Sequence, residues 1–287
     1  MSCSFRLSTT SRLLGAAVGM AVLGAAFSPI ASAATTLPQK YQAQGHLTIA
    51  ADATYAPMEF TAKDGKTVVG ADVDLGKAIA KELDVKADFV NASFDSIIPA
   101  LQSGKYDMSM SSFTITKKRE EVVDFVSYMT AGTSFYVKAQ GGPSIHGLTD
   151  LCGMTVAVEK GTTQADDATK QSKECVAAGK KAATVSVFPD QNGANLAIAS
   201  GRAQVGMADS PVAAWIVEKS HGQFKLTGEP YNSAPYGIAI PKNSGLAEPV
   251  LAALKKVIAS GEYARILHQW GITQGGIKDP AINPAAQ

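Results

Sequence analysis

Residues 94–119 read FDSIIPALQSGKYDMSMSSFTITKKR, and the order of elements in this stretch decides the fold. Phe94 to Ser103 has apolar residues at helical spacing. Gly104-Lys105 breaks that period, and Tyr106 to Ser111 follows as a run of strand length. Beyond it, the hydroxyls of Ser111, Ser112 and Thr114 lead through Phe113 into Lys117-Lys118-Arg119. Strand alternation is expected to carry Ser112 and Thr114 to one face. A guanidinium fork beside hydroxyls and backbone N–H groups is chemistry that holds a small carboxylate.

Working outward, helix and strand keep alternating. His46 to Ala51 reads as a buried strand and Lys63-Asp64-Gly65-Lys66 as a hairpin turn. Asp72 to Leu83 reads as an amphipathic helix with Val73, Leu75, Ile79, Ala80 and Leu83 on its apolar face, and Ala87 to Val90 as a strand. After Gln140-Gly141-Gly142-Pro143 the pattern restarts. Met154 to Val158 is a strand, a polar helix runs to about Ala178, Thr184 to Phe188 is a strand, and Ala194 to Ser200 a helix. Ala203 to Met207 is a strand, and Asp209-Ser210-Pro211 opens another helix with proline at a permitted first-turn position. Tyr236 to Ile240 returns as a strand and Pro249 to Gly271 reads as one helix. Such alternation predicts an α/β protein of two units with mainly parallel sheets. Ligands of open α/β sheets bind beyond the carboxyl ends of the strands, which here carry Asp52, Ser112, Thr114, Thr162, Thr163 and Asp209.

The N-terminus reads differently. Arg6 and Arg12 precede an apolar run from Leu13 to Phe27, Ala31-Ser32-Ala33 has the small-x-small pattern of a cleavage site, and no acidic residue occurs before Asp52. Residues 1–33 are therefore expected to be a cleavable secretory signal peptide, since the apolar run is too short for a membrane span. Removing Arg6 and Arg12 leaves 24 of the 26 basic side chains against 25 acidic ones, a balance that predicts neither a nucleic-acid nor a membrane-surface partner. With Cys3 gone, Cys152 and Cys175 form an even pair in an oxidising compartment. Bridged, they would contribute roughly 3 kcal/mol by loop closure; two unpaired buried thiols are the alternative. His46, His146, His221 and His268 show no ligand spacing, so no metal site and no cofactor is expected.

Six motifs, in this order, carry a resemblance to a known family. They are Ala51-Asp52-Ala53-Thr54-Tyr55-Ala56-Pro57, Gly70-Ala71-Asp72-Val73-Asp74-Leu75, Phe94 to Leu101, Ser112 to Thr116 with Arg119, Gly161-Thr162-Thr163-Gln164, and Asp209-Ser210-Pro211. The chain resembles the polar amino-acid branch of periplasmic solute-binding proteins of ABC importers, in register from about His46 to Gly271. The resemblance implies a type II, two-lobed periplasmic-binding-protein fold, with two three-layer α/β domains joined by two hinge strands. Lobe 1 is expected over 45–132 with 235–280, lobe 2 over 137–231, and a C-terminal tail over 281–287. The strands would cross near Thr130 to Lys138 and Asn232 to Tyr236. By the same resemblance Arg119 would hold the α-carboxylate of a free amino acid, with Thr163 donating from the opposite lobe. Ser112, Thr114 and Asp209 would serve the carboxylate and ammonium, and Tyr55 and Phe94, beside Phe113, would sandwich the side chain. The partner implied is an inner-membrane ABC permease, the location the periplasm, and the working form a monomer.

A zwitterion entering a dry cleft loses hydration at two charges, so both must be paired. Arg119 and Asp209 answer that need from separate units. Asp52 and Glu159, with Asp72 as a third carboxylate, suit a cationic side chain such as that of arginine, lysine, ornithine or histidine; a Glu159 turned to solvent would leave uncharged polar amino acids open. Two other functions share the fold. A cyclohexadienyl-type dehydratase would use a carboxylic acid such as Glu159 to protonate a leaving group, and a soluble sensor would bind without transport. No nucleophile–base pair is evident, so no catalytic residue is assigned.

Overall fold

A computed structural model describes residues 36–284, together with residues 4 and 7–9. The leader expected over 1–33 thus falls almost wholly outside the described residues. In chain order the elements are α1 (Gln39–Gln44), β1 (His46–Ala51), β2 (Thr54–Tyr55), β3 (Glu59–Thr61), β4 (Val68–Val69), α2 (Ala71–Glu82), β5 (Lys86–Asn91), α3 (Phe94–Gln102), β6 (Met108–Thr114), α4 (Lys117–Glu120) and β7 (Val123–Lys138). There follow β8 (Thr155–Glu159), α5 (Thr163–Ala177), β9 (Thr184–Phe188), α6 (Gln191–Ala199), β10 (Val205–Asp209), α7 (Ser210–Lys219), β11 (Phe224–Pro241), α8 (Ala247–Ala259) and α9 (Glu262–Gln269).

Eight strands form one sheet in the order β5-β1-β6-β11-β7-β10-β8-β9, and β2-β3-β4 form a small separate one. The order explains the two lobes. β5, β1 and β6 are mutually parallel, as are β9, β8 and β10. Between these trios run the two longest strands, β7 and β11, paired antiparallel along almost their whole length. The half of β11 near Tyr236 also borders β6, and the half of β7 near Phe135 borders β10. Register shifts in the β7–β11 pair fall between Thr227 and Tyr231 and between Tyr231 and Ala234, with Asn232 at φ 50°. The two trios are joined there by only two strands.

The cores follow from the apolar spacing. Val73, Leu75, Ile79 and Ala80 of α2 are buried, and α2, α8 and α9 pack together on one face of the first lobe. Ile97 and Leu101 of α3 pack with Phe113 and Phe125 in a separate cluster. In the second lobe Phe135, Leu151, Val156, Val158 and Ala168 make a third core beneath α5. The helix expected over Pro249 to Gly271 is two helices, because Gly261 takes φ 83° and interrupts the hydrogen-bond ladder between α8 and α9. Residues 281–283 lie along β7, where Asn283 Oδ1 accepts the Phe125 N–H at 2.7 Å. The chain's two tryptophans meet between the lobes: Trp215 of α7 lies 6.5 Å from Trp270, with Phe60 of β3 within 6.3 Å of both.

Cys152 and Cys175 are joined by a disulfide that ties the start of the second lobe to the last turns of α5. Replacing both by serine is expected to remove about 3 kcal/mol of stability. Thermal unfolding of the variant, compared with the parent under matched conditions, checks this; an unchanged midpoint would show that the bridge adds nothing. Among the described residues no helix is long and apolar enough to cross a membrane, and no group of three potential metal ligands occurs.

Candidate functional site

The carboxyl ends of β1, β6, β8 and β10 converge from the two lobes. They bring Asp52, Tyr55, Phe94, Ser112, Thr114, Arg119, Glu159, Thr162, Thr163 and Asp209 around one narrow, nearly filled cavity. Phe113 stands behind this wall, stacked on Phe94 with ring centroids 4.4 Å apart. Two further residues line the cavity that sequence reasoning did not single out, Glu59 and Gln164.

Arg119 is held by geometry that a sequence cannot display. Its Nη1 donates to the Thr114 carbonyl at 2.7 Å and its Nη2 to the Gly161 carbonyl of the other lobe at 3.0 Å. The guanidinium lies over the stacked rings of Phe94 and Phe113, 5.4 and 5.1 Å from their centroids, a favourable cation–π position. Burial lowers its pKa to about 10, against the pull of Asp209, Asp166 and Tyr55, so it stays charged at neutral pH. Gly161 takes φ 81°, and a Cβ there would sit 3.0 Å from that of Asp95, so glycine permits this close approach of the lobes.

Asp209 precedes α7 but caps nothing with its side chain. Its carboxylate instead accepts Gln164 Nε2 at 2.7 Å and the Tyr55 hydroxyl at 3.0 Å, while its N–H donates to the same Tyr55 oxygen. Burial raises its pKa, and the neighbouring Tyr236, the bonds from Tyr55 and Gln164, and Arg119 nearby pull it back. Tyr55 therefore does more than flank a ligand: its hydroxyl spans from the first lobe to Asp209 in the second. Thr162 is the N-cap of α5, accepting the Ala165 N–H at 3.2 Å and donating to the Glu159 carbonyl at 2.7 Å. Thr163 opens that helix, whose N-terminal dipole favours an anion.

At the other end of the cavity Asp52 and Glu159 face each other, each only 3% exposed. Asp52 accepts the Thr54 hydroxyl at 2.6 Å and the Phe94 N–H at 2.9 Å. Oε1 of Glu159 is buried without a donor, and the neighbouring Asp52 carboxyl can offer one only if one of the two acids is protonated. Burial, then Asp52, Asp190 and Asp209, push the Glu159 pKa up to about 9. Glu159 does not turn to solvent.

Two expectations are corrected. Ser112 and Thr114 both reach the cavity, but not by regular strand alternation, because Ser112 takes φ 50° and the β6–β11 register shifts between Gly237 and Ala239 opposite it. Asp72 is not a third carboxylate at the side-chain end. It is buried beneath the cavity, where Oδ2 accepts the Ser112 N–H at 3.1 Å and the Tyr128 hydroxyl at 2.7 Å. Glu59, buried beside it, accepts the Ser111 hydroxyl at 2.9 Å, and Ser111 Oγ in turn accepts the Asp52 N–H at 2.9 Å. Burial and the neighbouring Asp72 raise the pKa of Glu59 well above the usual carboxylate range, and burial raises that of Asp72 as well. This pair clamps the unusual Ser112 backbone and, through Ser111, the start of the Asp52 loop. Gly70 makes it reachable: at φ 135° it lets the N–H of Asp72 bond the Met58 carbonyl where a Cβ would lie 2.2 Å from that oxygen.

The model of the family described as bacterial extracellular solute-binding proteins, family 3, matches residues 47–273. The chain belongs to this family. The Arginine-binding protein ArgT of Corynebacterium glutamicum is 33% identical over 256 residues, covering 89% of this chain and 84% of the relative. The solved structure of an ancestral arginine-binding protein bound to arginine is 38% identical, with a TM-score of 0.73, over 79% of this chain and 98% of that one. An ancestral amino-acid-binding protein described as a precursor of cyclohexadienyl dehydratase is 36% identical, with a TM-score of 0.72, over 80% and 97% of the two chains. The type II periplasmic-binding-protein fold is thereby established for this solute-binding protein. Gln164 was legible as part of the Gly161-Thr162-Thr163-Gln164 motif. Glu59 gave no such signal, since an acid before a phenylalanine on a three-residue strand reads as surface.

Proposed function

We propose that this protein captures a basic L-amino acid between its lobes in the periplasm, as a monomer, and delivers it to an inner-membrane ABC permease. In this reading lobe 1 comprises 45–132 with 235–280 and lobe 2 comprises 137–231. Arg119 and the N–H groups at Thr114 and Thr163 hold the α-carboxylate, Asp209 with the Ser112 carbonyl receives the ammonium, and the Tyr55 and Phe94 rings flank the methylenes. The observation that carries the proposal is the buried Asp52–Glu159 pair, two carboxyls facing one cavity and neither of them joined to Arg119, which donates to the Thr114 and Gly161 carbonyls. A guanidinium or ammonium group between them would supply both the charge and the donors that the pair lacks. The relatives named for arginine support the same class.

A thermal-shift screen of ligand-free protein against the common amino acids, ornithine and citrulline tests it, because a ligand bound at 100 times its Kd stabilises by about 2.7 kcal/mol. Arginine, lysine or ornithine are expected to raise the midpoint most. A larger response to glutamine or glutamate with none to the basic set would overturn the basic-ligand reading. The protonated Glu159 favours one second reading, acid catalysis of the dehydratase kind. Release of an aromatic product from prephenate or arogenate would establish it, and no turnover is expected.

A further inference from the structure

Asp52 and Glu159 approach from different lobes, Asp52 just past β1 and Glu159 at the end of β8, and they meet only because the lobes meet. We propose that closure of the cleft requires one positive charge between these two carboxyls, supplied either by the ligand's side chain or by a proton, so that the protein discriminates against uncharged amino acids more strongly as pH rises. This rests on the proposed amino-acid function and specifies how that site chooses.

The surroundings leave no other source of charge. From the remaining elements Glu159 is faced by Asp190 at the start of α6, Asp209 at the end of β10, and the hydroxyls of Tyr136 on β7 and Tyr55 on β2, none of them a cation. Asp52 is faced by Asp190 and, from beneath, by Glu59. Of the nearby cations, Lys160 is bound to Asp95 at 2.7 Å and Arg119 to the Thr114 and Gly161 carbonyls. The Glu159 Oε1 left without a donor is thus the place where a proton or a ligand N–H must go.

The sign follows from linkage. When the lobes part, Glu159 returns to water and to an ordinary pKa near 4.5; when they close with no cation its pKa is about 9. A carboxyl whose pKa is raised on closure favours the closed form at low pH, and between these two values each added pH unit costs closure a factor of ten. An uncharged ligand must therefore bring a proton with it into the site. A cationic one need not.

Arginine and citrulline make the test, being alike in length and shape but unlike in charge. Isothermal titration at pH 5.5, 6.5 and 7.5, in buffers of differing ionisation enthalpy, should show arginine binding with no proton uptake and an affinity constant across the series. Citrulline should take up close to one proton and weaken about tenfold per pH unit. Glu159→Gln should flatten the citrulline profile and lower arginine affinity, narrowing discrimination most at pH 7.5. Citrulline binding without proton uptake, or citrulline failing to bind even at pH 5.5 while arginine binds, would overturn the proposal and leave the amino-acid function standing. If no amino acid binds at any pH, the function itself falls.

Discussion

Arg119→Ala is expected to abolish the thermal shift given by every amino acid and to weaken binding by three orders of magnitude or more. Removing one partner of a buried, hydrogen-bonded charge pair costs about 2–5 kcal/mol, and each 1.4 kcal/mol is tenfold. Here the loss has three parts. The ligand carboxylate would be desolvated without its cation, the Thr114 and Gly161 carbonyls would lose their donors, and the stacked Phe94 and Phe113 rings would lose the guanidinium that covers them. Arg119→Lys should recover little, because an ammonium cannot serve two carbonyls and a carboxylate in one plane. Titration calorimetry checks both variants. A retained response in Arg119→Ala would show that the carboxylate is held elsewhere.

The second large effect is expected from Asp209→Asn, with affinity falling by about a hundredfold or more on the same scale. The substitution keeps size and hydrogen-bonding capacity but removes the charge assigned to the ligand ammonium. It also places an N–H2 against one of two donors, Tyr55 O–H or Gln164 Nε2. Because Tyr55 belongs to the first lobe and Asp209 to the second, the defect should appear in closure as well as in affinity. The Trp215–Trp270 pair spans the same lobes and gives an intrinsic fluorescence readout. Ligand-free thermal stability should stay near that of the parent, since the bonds lost by the carboxylate are offset by relief of the cost of burying its charge. Unaltered affinity in a folded variant would remove Asp209 from the ammonium role.

Much of this arrangement was readable in the chain. Alternation of helix and strand located both lobes because each apolar period reports a buried face, and that signal is local. Arg119, Thr163 and Asp209 could be picked out because turn and helix-start chemistry marks strand ends, where α/β proteins bind ligands. The break at Gly261 escaped the period because the apolar face resumes on the same side beyond it. Asp72 was assigned to the wrong place for a related reason: helical spacing shows that it leads α2, not what lies above it. Ser112 looked like an ordinary strand residue because alternation assumes unbroken pairing, and a bulge opposite Gly237 cannot be seen from β6 alone.

By itself the sequence determined the α/β frame of two units, the pair of cysteines able to bridge, and the residue types that meet a zwitterion. Those properties depend on neighbours a few positions apart or on composition. Only the tertiary structure decided that Glu159 turns inward against Asp52, that Glu59 and Asp72 are buried together beneath Ser112, and that Tyr55 reaches Asp209 across the cleft. Each of these joins residues on different elements, and two of the three join different lobes. The meaning of a carboxylate in such a place is set by what it loses in water and what it meets instead. Both are decided when the sheet is assembled and the lobes come together.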